Sequence, residues 1–140
     1  MKILVAVDGS RFSKRMLAYI AAHDEWLGKQ HQYTLLHVVA PVPQRAAAAI
    51  DRATLKAYHE GEAERVFKPI RAFFSRQGLQ GQFVSRVGAP AEQIAAAAAK
   101  GEHALLMLGS HGHGTLANLV LGSVAAKVLA SCSTPALLIR

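Results

Sequence analysis

The chain has 140 residues, enough for one domain that buries roughly 65 to 70% of the surface its unfolded form would expose. Hydrophobic residues make up 51% and charged residues 18%, which excludes a disordered chain, and the lone cysteine, Cys132, excludes an internal disulfide, a CxxC redox pair and a cysteine-rich metal site. The net charge of +7 favours anionic partners, yet the basic residues are scattered over helical stretches with acids among them, the pattern of a solvated surface rather than of a nucleic-acid face.

Residues 2–7 form a short apolar run rich in β-branched side chains and closed by Asp8-Gly9-Ser10, which reads as a buried parallel strand followed by a turn. An acid so early leaves no room for a signal-peptide core, and no apolar run approaches the ~18 residues of a membrane span, so a cytoplasmic protein without membrane contact is expected. Met16, Leu17, Ile20, Ala21 and Leu27 recur at helical spacing, predicting a helix from Ser13 with Ser13 or Ser10 as N-cap and Gly28 as its stop.

Residues 33–39 are the second strand, closed by Pro41 and Pro43, and residues 45–77 read as helix ended by Gly78, with Pro69 kinking or dividing it. A third strand over 82–87 turns through Gly88-Ala89-Pro90 into an alanine-rich helix over 91–100, stopped at Gly101. Residues 104–108 form the fourth strand, followed by a glycine-rich loop, a helix from about Ser123 to Ala130 and a final strand over 135–139. Strands alternating with helices imply a single α/β domain over 1–140, a doubly wound, Rossmann-like parallel sheet with helices on both faces. Ligands of such sheets bind at the carboxyl ends of strands, where the strand order reverses.

The loop from Gly109 to Ser123 leaves a strand and enters a helix, where unpaired backbone N–H groups and the helix dipole meet an anion, and its glycines let the main chain approach a ligand. Ser123 adds a hydroxyl or serves as the N-cap. No GxxxxGK[ST] occurs. Gly112 to Ala117 matches GxGxxA, but it lies late in the chain and no acid stands about 20 residues further on to hold a ribose.

The spacing Gly109-x2-Gly112-x9-Gly122-Ser123 is similar to the G-2x-G-9x-G-(S/T) signature of ATP-binding universal stress proteins. The segments Ile3-Leu4-Val5-Ala6-Val7-Asp8-Gly9-Ser10, Leu36-His37-Val38, Val87-Gly88-Ala89-Pro90 and Ser133-Thr134-Pro135-Ala136-Leu137-Leu138 resemble that family's other landmarks in order, so the resemblance spans essentially the whole chain. It implies a five-strand sheet of order 3-2-1-4-5, with Asp8 beside the nucleoside and the Val38 backbone at the adenine edge. It further implies Gly109 at the ribose, and Gly112, Gly122, Ser123 and the Val124 N–H at the phosphates, with Mg²⁺ or Mn²⁺ held through them. A homodimer through the C-terminal strand is also implied. Ala104 stands where the family often has an Asp, a change expected to touch local packing more than the loop, and residues 41–49 fall in the family's variable region.

His111 and His113 flank Gly112, but with no nearby acid or cysteine they do not make a metal site, and a hydrogen bond from His111 to phosphate is the functional alternative to a solvent-facing imidazole. His37 reads as a satisfied core histidine and Cys132 as an inert buried thiol. Asp8, Ser10 and Ser123 belong to no triad sequence such as GxSxG. The expected function is a nucleotide-dependent stress-response switch that binds ATP, or ADP or AMP, with an unidentified protein partner and at most slow hydrolysis. The alternative is a nucleotide-free dimeric interaction module of the same fold.

Overall fold

The computed structural model describes residues 1–114, 118 and 120–140. Its sheet runs β3-β2-β1-β4-β5 and every neighbouring pair is parallel. The strands are β1 (Lys2–Ala6), β2 (Gln32–Val39), β3 (Gly81–Val87), β4 (Leu105–Gly109) and β5 (Ala136–Ile139). The expected order is therefore the observed one, and the reversal falls between β1 and β4. In β1, Ile3, Leu4 and Val5 are all fully buried, because both faces of the sheet are covered and alternation of polar and apolar residues is lost.

One face carries α1 (Arg11–Ala22) and α4 (Arg52–Gln77), whose Met16, Ile20, Phe67 and Phe74 pack on Ile3, Val5 and Leu35. The other carries α5 (Pro90–Lys100) and α6 (Ser123–Ser131), whose Ile94, Ala98 and Val128 pack on Leu4, Leu36 and Leu106. Each such aliphatic side chain contributes about 1.5–3 kcal/mol by leaving water. This second face is not fully roofed. At β3, an edge strand, Val84 reaches the α5 layer while Gln82 and Arg86 are exposed.

Three helix boundaries differ from the expected ones. The first helix starts two residues before Ser13, with Ser10 as N-cap: its Oγ accepts from the Phe12 N–H at 3.3 Å. It ends at Ala22 rather than Gly28, because His23 leaves the helical region and a separate turn, α2 (Asp24–Leu27), follows before Gly28. The long predicted helix is divided, but not at Pro69. The short α3 (Gln44–Ala48) stops, and α4 restarts at Asp51, whose Oδ1 accepts from the Thr54 N–H at 2.6 Å. That backbone bond holds the Asp51 carboxyl below its ordinary pKa. The α4 helix runs unbroken through exposed Pro69, where the missing N–H leaves a carbonyl that water can satisfy. It closes in a Schellman turn: Gly78 is left-handed (φ 65°), its N–H donates to Ser75 O, and the Leu79 N–H donates to Phe74 O at 2.8 Å.

Candidate functional site

The chain leaves β1 through Asp8, and the Asp8 carboxylate is fixed by its own turn. Oδ1 accepts from the Ser10 N–H (2.9 Å) and from the Ser13 hydroxyl (3.0 Å), while the Asp8 N–H donates to Ser13 Oγ (2.9 Å). Gly9, at φ 78°, supplies the left-handed residue this turn needs. The second oxygen, Oδ2, is left toward the loop that follows β4.

That loop is pressed against its surroundings at each signature glycine. A Cβ on Gly109 would stand 2.7 Å from Phe12 Cβ, one on Gly112 would stand 2.7 Å from Asp8 Oδ2, and one on Gly122 would stand 3.0 Å from Ser110 O and 3.1 Å from His111 Cα. The glycines are thus required by packing before any ligand is considered. Ser110, 1% exposed, ties the loop at both ends: its N–H donates to Ile139 O at 2.7 Å and its carbonyl accepts from the Gly122 N–H at 2.6 Å. The Ser110 hydroxyl and His111 Nδ1 are 2.9 Å apart, and the His111 ring lies 5.3 Å from that of Phe12. Across the loop, His113 Nε2–H donates to the Asp8 carbonyl at 2.7 Å, linking loop to β1.

Gly122 is the N-cap of α6 and makes no side-chain cap bond, so the helix starts at Ser123 as expected and the alternative of Ser123 as the N-cap is not the observed one. The opening N–H groups of α6, those of Ser123 and Val124 included, lie beyond any intrahelical carbonyl partner, and the helix dipole adds about half a positive charge there. This is the geometry that receives an anion.

Asp8, Val38, Gly109, His111, Gly112, Gly122, Ser123 and Val124 all line one cavity of about 280 Å³. It lies at the carboxyl ends of β1 and β4, the reversal point of the sheet. Its other wall is apolar, from Leu36, Val38, Pro90, Ile94 and Leu108. One end can therefore take a flat hydrophobic group while the other meets negative charge through backbone, hydroxyl and imidazole donors. No lysine or arginine lines it among the described residues. The walls from Pro90, Ile94 and Phe12 were not predicted as site residues. The turn before Pro90 is visible in sequence, but nothing there reveals that α5 folds back over β2.

His37 is satisfied in the way expected, its Nδ1–H donating to Val7 O at 2.8 Å, and it also borders the cavity. Cys132 is half-buried against the α5 layer. Among the described residues no three His, Cys, Asp or Glu side chains gather as a metal cage, and no helix is long and apolar enough to cross a membrane. Thr115, Leu116 and Ala117 of the GxGxxA match lie outside the described residues.

Fold and site together define a doubly wound α/β protein with a glycine loop built against its first strand at the sheet's reversal point. The family model described as the universal stress protein family matches residues 1–140, and the chain belongs to that family. It is 32% identical over 138 residues to the universal stress protein in the QAH/OAS sulfhydrylase 3′ region of Thermus aquaticus, covering 99% of this chain and 97% of that protein. Among solved structures it is similar to the hypothetical protein MJ0577, with a TM-score of 0.81 and 26% identity over 99% of this chain and 94% of that one. It also shares the fold of the universal stress protein from Archaeoglobus fulgidus, solved in complex with dAMP, with a TM-score of 0.69 and 21% identity over 100% of this chain and 98% of that one.

Proposed function

We propose that this chain binds an adenine nucleotide, ATP first among them with ADP and AMP as alternatives, and acts as a nucleotide-dependent regulatory switch in the cytoplasm. The observation that carries this reading is the convergence of the Asp8 turn, the glycine loop and the open α6 N-terminus on one cavity whose opposite wall is apolar. The dAMP complex of the A. fulgidus relative supports the choice of adenine. The base would lie against Leu36, Val38 and Ile94 with the Val38 backbone at its edge. Gly109 would face the ribose, and Gly112, Gly122, Ser123 and the Val124 N–H would hold the phosphates. His111, which lines the same cavity, would donate to a phosphate oxygen.

A divalent ion, Mg²⁺ or Mn²⁺, fits this donor set only as a partner of the phosphates, since the protein side brings hydroxyls, imidazoles and one carboxylate rather than a cage. Asp8 is the only carboxylate there among the described residues, and its Oδ1 is spent on holding the turn. Hydrolysis is accordingly slow at most, for want of a placed general base. We further propose that β5, an edge strand, pairs two copies into a homodimer, and that nucleotide occupancy is read by a protein partner.

Isothermal titration with ATP and Mg²⁺ tests the binding claim. Saturable heat with one nucleotide per chain is expected, and folded protein that gives no heat at millimolar nucleotide overturns it.

A further inference from the structure

A second cavity, of about 820 Å³, opens at the other end of the sheet, among the first residues of β1, β2 and β3 and the last turn of α5. We propose that it is a binding site for a small, multiply charged phosphorylated anion, with Lys2 and Lys100 meeting the charge and Thr34 and Gln82 supplying neutral donors.

The groove exists because α5 does not reach across β3. Side chains on a strand alternate, so Gln82, Val84 and Arg86 share the face opposite Phe83, which packs in the α4 layer. Only Val84 of the three is covered by α5, so the strip beside Gln82, which pairs with Thr34, is left open, and Arg86 stands exposed at its far end opposite Val38. Lys2 enters from the start of β1 and Lys100 from the end of α5, so the cations come from separate elements and are gathered by the fold rather than by sequence proximity.

Both lysines are exposed, and neither makes an ion pair among the described residues. Among the described residues no aspartate or glutamate lines the groove. Glu102, the nearest acid in sequence, is exposed and lies outside the lining. Collecting like charges costs free energy, and on ordinary surfaces interleaved acids offset it. Here the offset is missing. The carbonyl end of α5 faces the same corner and would by itself repel an anion, so the Lys100 ammonium in its last turn determines the sign there.

The back of the groove is polar and ordered. His103 Nε2 lies 3.4 Å from Thr34 Oγ1, and its Nδ1 is buried with no hydrogen-bond partner among the described residues, which favours the tautomer with the proton on Nε2. Thr34 then accepts from the ring and keeps its own proton for a ligand. The volume falls within the range of small-molecule sites, and the concave form suits a compact ligand rather than a nucleic-acid strand, which would need a longer track.

Inorganic tripolyphosphate, which has no base to occupy the apolar slot of the first site, is the probe. Titrated at low salt into ¹⁵N-labelled protein, it is expected to give saturating shifts at the backbone amides of Gly81, Gln82, Lys100 and Gly101, whether or not the glycine loop also responds. The Lys2→Ala/Lys100→Ala protein should bind it at least about tenfold more weakly while retaining its wild-type affinity for ATP. Shifts confined to residues 109–124, no shift at about 10 mM probe, or an unchanged affinity in the double variant each overturn the proposal. So does a single-stranded RNA oligomer that shifts the groove amides when tripolyphosphate does not.

Discussion

Gly112 lies directly over the Asp8 carboxylate: a methyl group on Gly112 would come to 2.7 Å from Asp8 Oδ2. The carboxylate cannot swing aside cheaply, because Oδ1 is held by the Ser10 N–H and the Ser13 hydroxyl. Gly112→Ala should therefore lift the loop from β1 while leaving the core intact. Nucleotide affinity is expected to fall at least about tenfold with the melting temperature nearly unchanged. Titration calorimetry beside a thermal melt checks this, and wild-type affinity in the variant would remove Asp8 and Gly112 from the site as drawn.

Gly122→Val separates nucleotide binding from simple partner docking. Its Cβ meets backbone atoms of Ser110 and His111 at 3.0 and 3.1 Å, and the two methyls beyond it enter the space before the α6 N-terminus. ATP binding is expected to be lost in a protein that still gives a native circular dichroism spectrum. If partner capture survives in that variant, the protein works as a nucleotide-free interaction module instead.

Tyr33 gives a prediction about alkaline pH. Its ring is 2% exposed and stacks edge-on to Phe74, its hydroxyl donates to the Leu27 carbonyl, and burial pushes its pKa up to about 12 from the usual value near 10. The folded state therefore keeps a proton that the unfolded chain loses first. The contribution is whole below pH 10 and disappears as pH rises toward 12, a loss on the order of 2 kcal/mol. Tyr33→Phe should cost about 1 kcal/mol at neutral pH through the lost hydrogen bond and flatten that alkaline decline. Urea unfolding of both proteins across pH 8 to 12 measures it; parallel curves would contradict it.

The alternation of strands and helices and the glycine loop were clearer in sequence than the points where helices break, while the strand order came only from the resemblance to a family. Apolar periodicity runs straight through His23 and through residues 49–51, because the outward register that packs a helix says nothing of where a neighbouring element takes over. Asp51 was readable in principle, as an acid placed to cap the Thr54 N–H, whereas Pro69 attracted attention that its exposed position did not warrant. For the candidate site, Asp8 and the glycines are distinct because each serves a local turn or a close approach. Pro90 and Ile94 become site walls only through the packing of α5 on β2, which no short stretch of sequence encodes.

The hydrogen bonds of Ser110 give the glycine loop an architecture of its own. Since the Ser110 carbonyl receives the Gly122 N–H and the Ser110 N–H donates to Ile139 O, a single residue clasps the segment shut where it leaves the sheet. The Ser110–Gly122 hydrogen bond joins the two ends of that segment, so chain and bond together make a closed ring. Loop closure depends only weakly on length, with each doubling costing about 0.6 kcal/mol, so the ring's circumference can change without disturbing the five strands beneath it. Gene copies with longer or shorter rings should thus remain foldable, and the limit on their size is set by what the ring must enclose.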